Sequence, residues 1–347
     1  CGDFGDIPNE GNCGTNGGIF ADRTYSAKAY EVKKISQPVV VTPAGDMKFK
    51  ITNKRFHTNV NDLYGRYEIK EDGKVILSGS LDELNLNAQE SKIITLPELA
   101  IHKTPGAEYF VKFSFYQKKD TEWAKAGYEV AADQMKLSAS EKPILSVEAG
   151  KMELIETPDA FTVKGVNFEA TFSKKEGTLS KYLLNEVSLI SKGPQLNVFR
   201  APTDNDKQVD AEWFKKGLYN MTLEAGNWSV NKENNKITLQ SKNIYRGNNG
   251  FDFCNDGDII PRIGYKLELP EGFERMRWYG CGPFENYVDR KDASFVGVYD
   301  DLVSNQWTNY VKPQEMGGHE DVRWMAITNP EGVGFVYVAG DKMSASA

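Results

Sequence analysis

Tyr109-Phe110-Val111-Lys112-Phe113-Ser114-Phe115-Tyr116 is the stretch on which the fold turns. Tyr109, Val111, Phe113 and Phe115 stand at every second position, with Phe110, Lys112, Ser114 and Tyr116 between them. Successive side chains of a strand point to opposite faces, so this period of two predicts a strand with two unequal faces. The same period flanks Glu71-Asp72-Gly73-Lys74, with Tyr67 and Ile69 before it and Val75 and Leu77 after it. Asp-Gly between two alternating segments predicts a tight hairpin turn. Residues 37–138 hold six or seven such segments. That is the size and spacing of an immunoglobulin-like sandwich of about a hundred residues.

Beyond a composition break at Glu141-Lys142-Pro143 the strand signal resumes. Phe161–Gly165 with Phe168–Phe172, and Trp228–Val230 with Ile237–Leu239, read as hairpins; Tyr265–Leu269 and Arg275–Tyr279 read as further strands. Asp210–Leu218 predicts a helix, because its acidic start and basic end complement the helix dipole. Residues 25–36 read as a short helix or an extended linker, and residues 1–24 as loop. So many strands exceed one small sandwich and predict a second, larger two-sheet body. The expected class is all-β.

The 347 residues are 40% hydrophobic and 26% charged, an ordinary globular balance. A net charge of -7 argues against nucleic acid or an anionic membrane as partner. No apolar run approaches the roughly 18 residues of a membrane helix. Cys1, Cys13, Cys254 and Cys281 make no paired motif, and His57, His102 and His319 are far apart, so neither a disulfide framework nor a histidine metal centre is expected. The missing initiator Met and the Ser-Ala-Ser-Ala end lead us to expect a fragment of a longer protein.

Three dense motifs carry a resemblance. They are Asn197-Val198-Phe199-Arg200-Ala201-Pro202-Thr203-Asp204-Asn205-Asp206, Trp278-Tyr279-Gly280-Cys281-Gly282-Pro283-Phe284-Glu285-Asn286-Tyr287-Val288-Asp289-Arg290, and Tyr310-Val311-Lys312-Pro313-Gln314-Glu315-Met316-Gly317-Gly318-His319 with Asp321, Arg323 and Trp324. Together they resemble the small-chain domain of the family 2 glycoside hydrolase β-galactosidases. The start, Gly2–Asp6 with Pro8-Asn9, Asn16-Gly17 and Phe20–Thr24, is similar to the end of that family's catalytic barrel. The resemblance implies a barrel remnant at 1–24, a linker at 25–36, an immunoglobulin-like sandwich at 37–138, and a galactose-mutarotase-like supersandwich at 143–347. It also implies that the stretch from Tyr245 to Arg262 is short, and that the sequence stops before a final family segment whose Trp reaches the active site.

The resemblance implies the chemistry as well. Family members are retaining enzymes with two carboxylates about 5 Å apart. Both lie upstream of residue 1, so no catalytic role falls to any carboxylate here. A β-galactoside is the parent's substrate and the upstream barrel the chain's partner; a homo-oligomer, cytoplasmic or periplasmic, is compatible. Asn16 is implied to bind a sodium ion and the galactosyl group: its amide oxygen suits a hard cation and its NH₂ can donate to a hydroxyl. Cys13 takes the place of a Phe whose backbone carbonyl ligates Na, and Asn9 matches a residue near Mg. Read from the residues alone, Asn16-Gly17 and Pro8-Asn9 are turns.

Other residues have blander readings. His319 with Glu315 admits mutarotase-like acid–base chemistry, but a structural His beside Gly317-Gly318 is favoured. Asp204 and Asp206 read as a capped turn rather than a calcium site. Arg200, Glu285, Asp289 and Arg323 read as buried or interdomain ion pairs, and Trp278, Tyr279 and Tyr287 as core. A free-standing carbohydrate-binding module is the rival class, and would need exposed aromatics in a row on one sheet face.

Overall fold

The computed structural model describes residue 7 and residues 17–97, 104–139, 150–224, 226–233, 236–248 and 259–347. Asn9, Cys13 and Asn16 lie outside the described residues, as do the Glu141–Pro143 boundary and residues 249–258 of the short stretch.

Seven strands make the first sandwich: β1 (Val39–Gly45), β2 (Lys48–Asn53), β3 (Leu63–Glu71), β4 (Lys74–Ser80), β5 (Ser91–Thr95), β6 (Glu108–Gln117) and β7 (Glu129–Ala139). They form two antiparallel sheets, ordered β1-β2-β5 and β4-β3-β6-β7. The alternation read in β6 is its packing: Tyr109, Val111, Phe113 and Phe115 are all but fully buried. Phe113 meets Phe49 of the facing sheet at 4.9 Å between ring centroids. Asn53, wholly buried, donates its amide to the carbonyls of Thr58, Leu86 and Asn87. A buried amide so satisfied pins the loop before β5 to the sheet edge. Asp72 and Gly73 both have positive φ (45° and 83°), the geometry of the two-residue hairpin turn that Asp-Gly favours.

The second body begins with β8 (Glu153–Glu156), β9 (Ala160–Lys164), β10 (Phe168–Ser173), β11 (Thr178–Leu184) and β12 (Val187–Ser188), one meandering sheet. β13 (Lys192–Asn197) pairs with β18 (Gly264–Glu268), β14 (Thr222–Glu224) with β17 (Ile244–Arg246), and β15 (Trp228–Glu233) with β16 (Lys236–Ser241). β19 (Arg275–Gly282), β20 (Phe295–Leu302), β21 (His319–Thr328) and β22 (Gly334–Ala345) form the last sheet, ordered β20-β19-β21-β22. Its Met276, Trp278, Val322, Met325 and Ile327 pack against Leu189, Tyr182 and Leu184 from the meander, so the two sheets share one core. The expected strands 265–269 and 275–279 both form, in different sheets.

Two α-helices accompany the strands among the described residues. Residues 25–36 resolve as α1 (Ala27–Ile35), not an extended linker. Its apolar Val32 and Ile35 are exposed, and what it buries is Ala27 and Glu31. With no amphipathic stripe, its contacts rather than its periodicity hold it. The expected second helix is α2 (Asp210–Lys216), with Asp210 and Glu212 in its first turn, Lys215 and Lys216 in its last, and Gly217 closing it at φ 71°.

α1 and the β3–β4 turn join the two bodies. Lys34 donates to Asp133 and to the Ala132 carbonyl of β7, each at 2.5 Å, while Glu31 accepts from the amide of Ala293 at 3.1 Å. Gln134 of β7 bonds both the amide and the carbonyl of Val296, at 2.7 and 2.8 Å. Glu108 of β6 pairs with Arg323 of β21 at 2.6 Å and with Lys136 at 2.6 Å. A side chain on Gly73 would come within 2.7 Å of the Val298 amide, so the hairpin tip lies directly on β20. A protease cut between residues 139 and 150 should therefore leave both halves co-eluting in gel filtration at neutral pH. Elution as two species would show that this seam cannot hold them.

Candidate functional site

A groove of about 2110 Å³ runs along the second body. One wall is the start of the described chain, Gly17, Phe20 and Lys28; the other comes from β18, β22 and the loops carrying the three motifs. Such concave surfaces, with a few convergent polar groups, are where ligand sites occur.

The motif loops are built by interlocking hydrogen bonds. Glu285, buried, accepts from the Gly317 amide at 2.9 Å, from Arg290 at 3.2 Å and from the Tyr310 hydroxyl. Asn286, wholly buried, receives the Glu320 amide on its Oδ1 at 2.8 Å and donates to the Phe284 carbonyl. Tyr287 receives the Gly318 amide, and a side chain at Gly318 would sit 2.5 Å from the Tyr287 ring. Position 318 therefore takes glycine because the ring occupies the space. Burial and the neighbouring Glu285 carboxylate push the Tyr310 hydroxyl's pKa upward, so it remains a donor.

The chain start is seated on this platform. Tyr30 stacks on Phe284 at 4.5 Å, Phe20 packs on Tyr310 at 5.7 Å, and the Lys28 ammonium lies 5.5 Å over the Tyr310 ring. Burial, and then Arg290, lower the Lys28 pKa. At the far side Arg200 is held between Asp206 and Glu315, the latter at 2.5 Å, and lies 5.5 Å over the buried Trp213. Arg262 reaches the same Glu315 at 3.0 Å.

Several expectations can now be placed. Asp206 accepts from the backbone and hydroxyl of Thr203 at 2.6 and 2.8 Å, so 203–206 is the capped turn expected there. Arg200, Glu285 and Arg323 are paired as expected. Asp289 is not: it is exposed in the turn between Tyr287 and Arg290, with no ion pair among the described residues, because that turn projects into the groove. Trp278 and Tyr279 are buried core, and Tyr287 is half-buried.

His319 is wholly buried and does not line the groove. Its ring lies 4.1 Å from that of Trp278, and its Nε2 is 2.9 Å from Oε1 of Gln306. The Gln306 amide nitrogen donates to Asp301, so its oxygen faces the imidazole and Nε2 carries the proton. Glu315 is engaged by two arginines instead. The pair that mutarotase-like chemistry needs does not converge. The exposed Trp123, Tyr265 and Trp307 stand on a β6–β7 loop, on β18 and beyond β20, so they form no row on one sheet face.

Lys28 was invisible to sequence reasoning, since its partners are hundreds of positions away. Among the described residues no group of three or more His, Cys, Asp or Glu is placed to hold a metal ion. The described Cys281 is a buried thiol without a disulfide, its pKa pushed up to about 12 by burial and by Asp321.

Comparison with known proteins bears on the whole chain. Residues 164–347 match the family described as beta galactosidase small chain, and residues 49–138 match beta-galactosidase, domain 4. A beta-galactosidase of Priestia megaterium is 33% identical over 96% of this chain, and one of Psychromonas ingrahamii is 30% identical over 93% of it. The beta-galactosidase BgaC of Bifidobacterium adolescentis is 29% identical over 96%. The chain spans only 34–35% of the length of these three relatives. Since the small-chain match takes in more than half of its residues, behind a domain 4 sandwich in the same order, the chain belongs to the β-galactosidase small-chain family.

Proposed function

We propose that this chain is the non-catalytic C-terminal part of a β-galactosidase, and that the parent hydrolyses terminal β-galactosides with retention. What supports this is the joint wall of the groove: residues 17–28 are seated on the small-chain motifs, and in the parent they would shape an active-site mouth. The proposed division is barrel remnant 1–24, linker 25–36, sandwich 37–138 and supersandwich 143–347. Two carboxylates on an upstream barrel would act as acid/base and nucleophile. The residues here would position the barrel's last loop and exclude water around it.

Asn16 is proposed to contact the sugar. Gly17, its neighbour in sequence, lines the groove. The parent is proposed to use Na and Mg. A neutral amide oxygen at Asn16 and a backbone carbonyl at Cys13 fit a hard monovalent cation, and Asn9 would stand near Mg. Bound there, a cation would orient sugar hydroxyls.

The chain alone should show no turnover of a nitrophenyl β-galactoside; activity that co-purifies through successive columns would overturn the proposal. In the full-length parent, Asn16→Ala should weaken sodium dependence and lower kcat/KM at least about tenfold, from one lost hydrogen bond of about 0.5–1.5 kcal/mol together with a cation ligand. Kinetics unchanged at every sodium concentration would mean that Asn16-Gly17 is only a turn.

A further inference from the structure

The last sheet ends in an apolar strand edge. β22 stands outermost in the order β20-β19-β21-β22 and, among the described residues, pairs only with β21. From Gly334 to Ala339, alternate backbone N–H and C=O groups therefore face away from the sheet. Val336 and Val338 lie on this edge, 56% and 76% exposed. Val298, Tyr279, Trp324 and Val338 stand side by side in one row across the four strands. The first sandwich rests on the Val298 end of that row, at the Gly73 turn, and the Val338 end is open.

Sheet edges are ordinarily guarded by charge, because an unguarded one is a template for another strand. Here β4 opens with Lys74, β5 holds Lys92, β8 is bounded by Glu153 and Glu156, and β20 carries Asp300 and Asp301. Gly334-Phe335-Val336-Tyr337-Val338-Ala339-Gly340 of β22 has no charge and no proline. It is also complementary to itself. Paired antiparallel about a two-fold axis through Tyr337, Val336 falls opposite the partner's Val338, and Val338 opposite the partner's Val336, on one face. The two Tyr337 side chains meet on the other face, and Gly334 falls opposite the partner's Gly340. At each end Glu331, in the turn before β22, comes beside the partner's Lys342, whose contact with Asp321 of its own chain is a loose 3.8 Å. Like charges are thus kept out of the paired segment, and opposite ones meet at its ends.

We propose that a second copy of this chain docks on the β22 edge, strand to strand in this register, so that two four-stranded sheets become one continuous sheet across a two-fold axis. A single strand pair belongs to the smallest class of specific interfaces, below about 1,200 Å² in total. The dimer is therefore weak and forms only as the chain is concentrated. It involves neither the groove loops nor any hydrolysis by the parent, and its test needs no barrel.

The test is sedimentation equilibrium of the 347-residue chain at pH 7, from about 1 to about 500 μM, where a reversible monomer–dimer equilibrium with a micromolar Kd is expected. Val338→Lys changes an exposed side chain and leaves the core untouched, yet should weaken the dimer at least about tenfold. Adding Val336→Glu to that variant sets Glu opposite Lys twice in this register, and should restore the Kd to within about threefold of the original. Hydrogen exchange of the amides of residues 335–339 should slow as the dimer forms. A monomer at every concentration, a dimer indifferent to Val338→Lys, or a double variant that stays monomeric would each overturn the proposal. So would exchange at 335–339 that is slow in the monomer, since another segment of the same chain would then cover the edge.

Discussion

Replacing Arg323 with Met should destabilise the chain by about 2–4 kcal/mol at pH 7, measured by urea unfolding. The guanidinium spans the two bodies to Glu108 at 2.6 Å, and both side chains are largely buried, at 12% and 16% exposure. The guanidinium also lies 5.8 Å over the Phe110 ring and 5.4 Å over the Tyr279 ring, and Met keeps only the apolar stem beneath it. Met removes the charge and the ring contacts with it, and breaking a buried pair costs about 3–5 kcal/mol because the partner stays behind uncompensated. Lys136 still accompanies Glu108 and offsets part of that.

The same variant should change the response to acid. Burial alone would raise the Glu108 pKa, but Arg323 and Lys136 outweigh it and bring it down from 4.5 to about 2. A carboxylate depressed in the folded state contributes stability above pH 4.5 and loses it as pH falls toward 2. Arg323→Met should flatten that loss. By contrast Lys125→Met, at a fully exposed pair with Asp120, should leave stability essentially unchanged, since solvent screens it. Equal effects of the two substitutions would show that the seam between the bodies is not ionic in origin.

A second loss should appear at milder pH. Between pH 6.5 and 4 the chain should give up about 3 kcal/mol of stability through His319, since each pKa unit corresponds to about 1.36 kcal/mol. Burial lowers this imidazole from 6.5 to about 4. The unfolded chain therefore takes up a proton below pH 6.5 that the folded chain refuses until pH 4, which favours unfolding across that window. The structural reason is burial: with Nε2–H given to Gln306, the added proton would go to the buried Nδ1, and the nearby Cys281 carbonyl offsets only part of the desolvation cost. His319→Gln removes the titration and should flatten the profile between pH 6.5 and 5, above the range in which Glu108 titrates. Identical pH slopes for both proteins, by denaturant unfolding at several pH values, would place the acid sensitivity elsewhere.

How much of this was legible beforehand depends on how far apart the interacting residues are. The β6 alternation, the Asp72-Gly73 turn and the charges of α2 involve neighbours within a few positions, so periodicity and turn chemistry expose them directly. The three motifs were recognisable as a family pattern, and the capped turn at 203–206 is again local. Asp289 was misread because a charged residue in a dense motif resembles its paired neighbours, and only the turn geometry sends it outward. α1 was ambiguous because its apolar residues do not line one face.

The sequence by itself thus determined an all-β chain, its strands, its tight turns and its family. Those follow from side-chain alternation and backbone preference, which act between adjacent residues. Only the tertiary structure decided what happens between the two bodies. Glu108 and Arg323 are 215 positions apart, and Glu31 and Ala293 are 262 apart. His319 becomes a neutral buried base because Trp278 and Gln306 enclose it. Burial and partner choice are properties of the packed arrangement, and no local pattern in the chain encodes which distant surface will be laid against which.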